Sequence, residues 1–97
     1  MADPQIENGF CMLPNELLEA IARIRIPGES MQVFLVIIRK TYGFHKHEDR
    51  ISLSQFNLST GLAKSSIIRA LRILISMNLI YKKVNGTVST YRILKDY

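Results

Sequence analysis

The amino-acid sequence predicts a mainly α-helical fold with a small β-hairpin, and three observations carry that expectation. Apolar residues recur every three or four positions over most of residues 13–77, the spacing that lines one face of a helix. Pro27-Gly28, Gly43 and Gly61 divide that stretch into short helices. After Met77 the pattern changes, and two runs rich in β-branched and aromatic residues flank Asn85-Gly86, the signal of a two-residue hairpin turn.

Each element has its own justification. Residues 1–12 carry no strong period and read as a flexible N-terminal arm, with residues 13–97 as the folded domain. Leu13, Leu17, Ile21 and Ile24, with Leu18 alongside, line a first helix. Pro14 suits its first turn, Glu16 and Glu19 favour its positive end, Arg23 and Arg25 its negative end, and Pro27-Gly28 closes it. A second helix runs from about Glu29 to Tyr42, with Met31, Phe34, Leu35, Ile38 and Tyr42 on one stripe and Gly43 as its stop. Val33, Val36 and Ile37 widen the stripe until the helix is apolar nearly all round, as a central helix is.

His45 to Arg50 is polar and reads as a loop, with Arg50-Ile51 as a very short strand. Ser52-Leu53-Ser54-Gln55 has the form of a capping box, so a third helix starts there and ends within about two turns at Thr60-Gly61. A fourth helix follows from Ala63 to Met77, with Ile67, Ala70, Leu71 and Leu74 inward. The hairpin pairs Leu79–Val84 with Thr87–Leu94 through a type I′ turn at Asn85-Gly86.

Composition excludes several classes. A chain of 97 residues, 47% hydrophobic, is one small domain that buries roughly 60–65% of the surface its unfolded form exposes. The longest apolar run, Val33 to Ile38, is far short of the ~20 residues of a membrane span. Met1 to Phe10 lacks the apolar stretch of a secretory signal. One cysteine, Cys11, cannot form an internal disulfide and suits a reducing cytoplasm.

The charge is unevenly placed. Residues 1–49 hold five Lys/Arg against seven Asp/Glu, whereas residues 50–97 hold eight Lys/Arg against Asp96 alone. Between Arg50 and Lys95 nothing acidic neutralises Lys64, Arg69, Arg72, Lys82, Lys83 and Arg92. Such a field attracts a polyanion, and nucleic acid is the commonest.

The order helix, helix, short strand, short helix, Gly61 turn, longer helix, hairpin is that of a winged helix-turn-helix. At about 100° per residue, Ser65, Arg69, Arg72 and Ser76 fall on one outward stripe opposite Ile67, Ala70, Leu71 and Leu74. Serines let the backbone approach base edges, and arginines match guanine edges or phosphates. Lys64, Ser65 and Ser66 start this helix, where backbone N–H groups can meet a phosphate. Lys82 and Lys83 before the hairpin tip, and Arg92 on the return strand, suit phosphate or minor-groove contact.

Several runs carry a resemblance. Pro14-Asn15-Glu16-Leu17-Leu18-Glu19-Ala20, Arg39-Lys40-Thr41-Tyr42-Gly43, Asp49-Arg50-Ile51-Ser52-Leu53-Ser54-Gln55 and Thr60-Gly61-Leu62, with Ser89-Thr90-Tyr91-Arg92, resemble the N-terminal domain of phage replication protein O. The resemblance spans about three-quarters of the chain. It implies a winged helix that binds double-stranded DNA at repeated sites of a replication origin, typically as a homodimer, in the cytoplasm of a bacterial host. It also implies contact with the host replication machinery through a C-terminal region that these residues do not include.

The sequence departs from that pattern where Ala63 replaces a capping residue, which weakens the helix start by about 1 kcal/mol unless Lys64 or Ser65 shifts the boundary. Ile68 and Ile73 flank the polar stripe and should be partly exposed, while Ile75 reads as peripheral core. Ile68 is open to three readings: peripheral core, contact with a thymine methyl, or contact with a partner chain. His45-Lys46-His47-Glu48-Asp49 with distant Cys11 lacks the converging ligands of a metal site. No phosphate loop or nucleophile constellation is present, so the chain reads as a binding module without catalytic function, metal or cofactor. A winged-helix transcription regulator and a protein-interaction winged helix remain as alternatives to an origin-binding initiator.

Overall fold

The computed structural model describes residues 9–94. The elements run α1 (Asn15–Arg23), α2 (Gly28–Thr41), a 3-10 turn (Tyr42–Phe44), β1 (Asp49–Ile51), α3 (Leu53–Thr60), α4 (Lys64–Ser76), β2 (Ile80–Asn85) and β3 (Val88–Ile93). The protein is mainly α-helical with a small antiparallel sheet of three strands in the order β1-β3-β2. The sequence suggested only a hairpin plus a fragment of strand; β1 joins it as an edge strand with Ile51 opposite Ser89. The arm expected over residues 1–12 falls, for residues 1–8, outside the described residues.

Helix α2 is the centre of the core. Its buried face runs Ser30, Val33, Phe34, Ile37, Ile38 and Thr41, and Leu35, expected inside, is 55% exposed. Because the helix is apolar on almost every side, its period alone does not choose a face, and packing against α4 does. Ser30 Oγ donates to the carbonyl of Ala70 at 3.3 Å, a small-residue contact that turns this side of α2 toward α4. Gly43 does not end the helix through a left-handed backbone. His45 takes that conformation instead, with φ 55°. A Cβ on Gly43 would stand 2.6 Å from Arg39 Nη1 and 3.1 Å from Cys11 Sγ, so its lack of a side chain permits a close approach.

Helix α1 stops at Arg23, short of Pro27-Gly28, and Ile24 is already extended (φ −106°, ψ 138°). Proline disfavours helical backbone in the residue before it, and the extended link lets both Ile24 and Ile26 pack against the core. Arg25 therefore lies outside the helix, and Leu18 points into solvent at 50% exposure while Leu17 is buried.

The capping box at the start of α3 forms. Ser52 Oγ accepts from the Gln55 N–H at 3.1 Å and Gln55 Oε1 accepts from the Ser52 N–H at 2.8 Å. Phe56, fully buried, meets the Tyr91 ring edge-on at 5.5 Å between centroids, tying α3 to β3. Gly61 then turns the chain with φ 76°, a conformation that costs a side-chain-bearing residue. Side chains hold that turn: Thr60 Oγ1 donates to the Phe56 carbonyl and accepts from the Leu62 N–H, and Asn57 Nδ2 donates to the Leu62 carbonyl.

Helix α4 buries Ile67, Ala70, Leu71 and Leu74, the inward face read from the sequence, and Ala63 supplies no side-chain cap. Ile75 is 39% exposed rather than peripheral core. Asn78, with φ 59°, turns the chain out of the helix. The hairpin differs from expectation by one residue at its tip. Asn85 pairs with Val88, so the two loop residues are Gly86 and Thr87, and only Gly86 has positive φ, which fits a type II′ rather than a type I′ turn. The register sets buried Ile80 opposite buried Ile93 and Tyr81 opposite Arg92, whereas an Asn85-Gly86 loop would set Ile80 opposite Tyr91.

Candidate nucleic-acid interface

The outward side of α4 is built by the burial of its other side. With Ile67, Ala70, Leu71 and Leu74 fixed inward, helical geometry leaves Ser65, Arg69, Arg72 and Ser76 in solvent, and all four are exposed. Lys64 is also exposed in the first turn, whereas Ser66, about 160° further round the helix, is half-buried. Among the described residues, no hydrogen bond or ion pair engages the side chains of Lys64, Arg69, Arg72, Lys82 or Lys83. The one ion pair among the described residues is Lys46–Asp49 at 3.3 Å. Residues 50–94 contain no acid, so these cations act as an uncompensated field.

The strand alternation divides the remaining cations between two faces. Lys82 shares its face with Tyr91 and points toward α4, where it lines a groove of about 280 Å³ together with Ile68, Arg72, Ile75, Thr87 and Ser89. Lys83 is exposed on the opposite face of the sheet, in a row with Thr90 and Arg50. Arg92 lies on that outer face too. Its guanidinium sits 4.6 Å over the Tyr81 ring, Nη1 is 3.3 Å from His47 Nε2, and Nε is buried without a hydrogen-bond partner among the described residues. The structure thus brings Lys64, Ser65, Arg69, Arg72 and Lys82 to one side and leaves Lys83 and Arg92 on another.

Sequence reasoning missed three contributors, Arg50, Thr87 and Ser89. Arg50 adds a cation beside Lys83, and its only sequence signal is that the acid-free stretch begins there. Thr87 and Ser89 supply hydroxyls to the groove next to Arg72 and Lys82. They come from the hairpin while the arginine comes from α4, so no spacing rule connects them. Burial pushes the Tyr91 phenol above the ordinary tyrosine range, and a hydrogen bond with Ser89 opposes part of that shift.

A small helical protein that presents an acid-free cationic helix next to a basic β-hairpin is the class defined by this geometry. Comparison with known proteins narrows it. The sequence model of the family described as bacteriophage replication protein O matches residues 2–97. Replication protein 15 of Enterobacteria phage phi80 is 29% identical over 96 residues, 99% of this chain and 31% of that protein. Replication protein O of Escherichia phage lambda is 37% identical over 75 residues, covering 77% and 22%. DNA replication protein gp18 of Salmonella phage P22 is 30% identical over 76 residues, covering 78% and 28%. The chain belongs to the bacteriophage replication protein O family. It spans between about a fifth and a third of the length of these curated relatives.

Proposed function

We propose that this chain binds double-stranded DNA as a winged helix-turn-helix and serves as the origin-recognising part of a phage replication initiator. In this reading α3 and α4 are the helix-turn-helix, β2 and β3 are the wing, and residues 13–97 form the DNA-binding unit. Arg69, Arg72 and Ser65 meet base edges in the major groove. Lys64, Ser66 and Lys82 hold phosphates along its rim, and Lys83 and Arg92 reach flanking phosphates from the outer face of the wing.

One observation carries the reading: the exposed, unpaired Ser65-Arg69-Arg72 stripe stands directly opposite the buried face of α4. The family names of the relatives, replication protein and DNA replication protein, support assignment to replication rather than to transcription control. Relatives about three times as long are consistent with further parts that engage host replication proteins.

A second reading has its own support. Leu35 and Phe44 are both more than half exposed and, with Arg39 stacked 4.7 Å over the Phe44 ring, border an apolar groove of about 440 Å³ on α2. That face, to which α3 adds Ser59 and Thr60, suits a protein partner and leaves the outward stripe of α4 free for DNA.

The test is a titration of duplexes at two salt concentrations. A duplex from the origin of the parent phage should bind more tightly than random duplex, and its affinity should fall steeply as salt rises. Equal affinity for both duplexes would remove sequence recognition, and insensitivity to salt would remove the cationic face as its basis.

A further inference from the structure

Ile68 is out of keeping with its surroundings. It is 39% exposed on the outward half of α4 and forms one wall of the groove shared with Arg72 and Lys82. At about 100° per residue it lies roughly 40° from Lys64, 40° from Arg72 and 60° from Ser65. A β-branched hydrocarbon is not what helix propensity selects for an exposed position. Nor does the core require it, since Ile67, Ala70, Leu71 and Leu74 already fill the inward face.

Whatever covers Ile68 must offer an apolar point within a negatively charged frame, because Lys64, Arg69, Arg72 and Lys82 lie around it and no acid occurs in residues 50–94. The DNA major groove has both properties. Phosphates run along its rims, and the hydrocarbon that its base edges present is the 5-methyl group of thymine. An acidic helix of a protein partner would meet the charge requirement through scattered carboxylates, but the apolar strip it would cover is short: Ile68 and Ile75, each 39% exposed, with the charged Lys64 and Arg72 on either side.

We propose that Ile68 is a specificity-determining residue that recognises a thymine methyl in the bound duplex, next to the bases or phosphates met by Arg72 and Ser65. This assignment rests on the DNA-binding reading above. It adds an apolar contact, made by the Ile68 end of the strip shared with Ile75, to a surface otherwise rich in hydroxyls and cations, and it requires at least one thymine at a fixed place in the site.

The duplex that the 97-residue chain selects from a random-sequence library is the probe. Each thymine is replaced in turn by uracil, which deletes the methyl group and leaves charge and hydrogen-bonding edges unchanged. At one thymine, or at two neighbours, uracil should weaken the wild-type complex about fourfold. Ile68→Ala should weaken the thymine duplex to a similar extent and then be indifferent to uracil at that position. A circular dichroism melt checks that Ile68→Ala folds, and Ile68→Val, which keeps the branched carbon, should retain most of the discrimination.

Wild-type binding insensitive to uracil everywhere, or equal uracil losses in wild type and Ile68→Ala, overturns the assignment and leaves DNA recognition standing. Loss of self-association by Ile68→Ala in sedimentation, without any uracil effect, overturns it in favour of a protein contact. If the library yields no preferred duplex, the DNA-binding reading itself fails and Ile68 with it.

Discussion

Replacing Ala63 with serine should stabilise the chain, because α4 begins without the device that starts α3. Ala63 has the extended backbone of an N-cap (φ −66°, ψ 154°) yet offers no acceptor to the first turn. Ser52 has nearly the same backbone (φ −81°, ψ 161°) and accepts from the Gln55 N–H, while Gln55 answers with its own side chain. Position 63 is exposed, so a hydroxyl adds no crowding. One side-chain cap contributes about 1 kcal/mol, which for a domain of this size moves the melting temperature by about 4–8 °C. Ser52→Ala should shift it downward by a similar amount, and the double variant should return close to wild type. Far-UV circular dichroism melts, with urea titrations read at constant slope, measure all four proteins. An Ala63→Ser protein that melts at or below wild type, beside a destabilised Ser52→Ala, would refute the reasoning that an absent acceptor limits the start of α4.

The remaining predictions concern the site and the turn that positions it. Arg69→Ala should weaken binding to the selected duplex more than to random duplex, whereas Lys83→Ala should weaken both alike; equal losses for Arg69→Ala would remove it from the base readers. Gly61→Ala forces a side chain into φ 76° and should lower stability by about 1 kcal/mol or more in a urea titration, even though open space surrounds the position. Burial raises the Tyr91 phenol above its ordinary value of 10.0, so its contribution to stability is fully present below that pH. That contribution is lost as pH rises from there through the folded-state value. Unfolding free energy should therefore fall above about pH 10 in wild type and fall less in Tyr91→Phe, and parallel curves would show that Tyr91 is not the group responsible.

Local signals were legible in the sequence and long-range choices were not. The capping box at Ser52 and Gln55, the left-handed Gly61 and the inward face of α4 each depend on residues within one or two turns. Spacing alone therefore predicts them. Helix α2 is apolar nearly all round, so its buried side depends on where Ser30 meets Ala70, forty residues away. The hairpin tip illustrates the same limit: Asn85-Gly86 is a strong local turn signal, but pairing Ile80 with Ile93 in the core moves the loop to Gly86-Thr87.

Among the site residues, the outward placement of Ser65, Arg69 and Arg72 follows from helical period once the inward face is known. The division of the hairpin cations between two faces does not, because it depends on the strand register. Arg92 illustrates this most clearly. It looks like one more free cation in the sequence, yet it stacks on Tyr81 and reaches His47 across the fold.

The central claim is that duplex DNA meets the outward side of α4 and the adjoining face of the hairpin. Backbone amide chemical shifts, followed by NMR as the selected duplex is added to the isotopically labelled chain, test it most directly. The account predicts that the largest changes fall on residues 64–72 and on Lys82 and Thr87, with the α2 face around Leu35 and Phe44 unmoved. Changes centred on Leu35 and Phe44, with α4 silent, would contradict it.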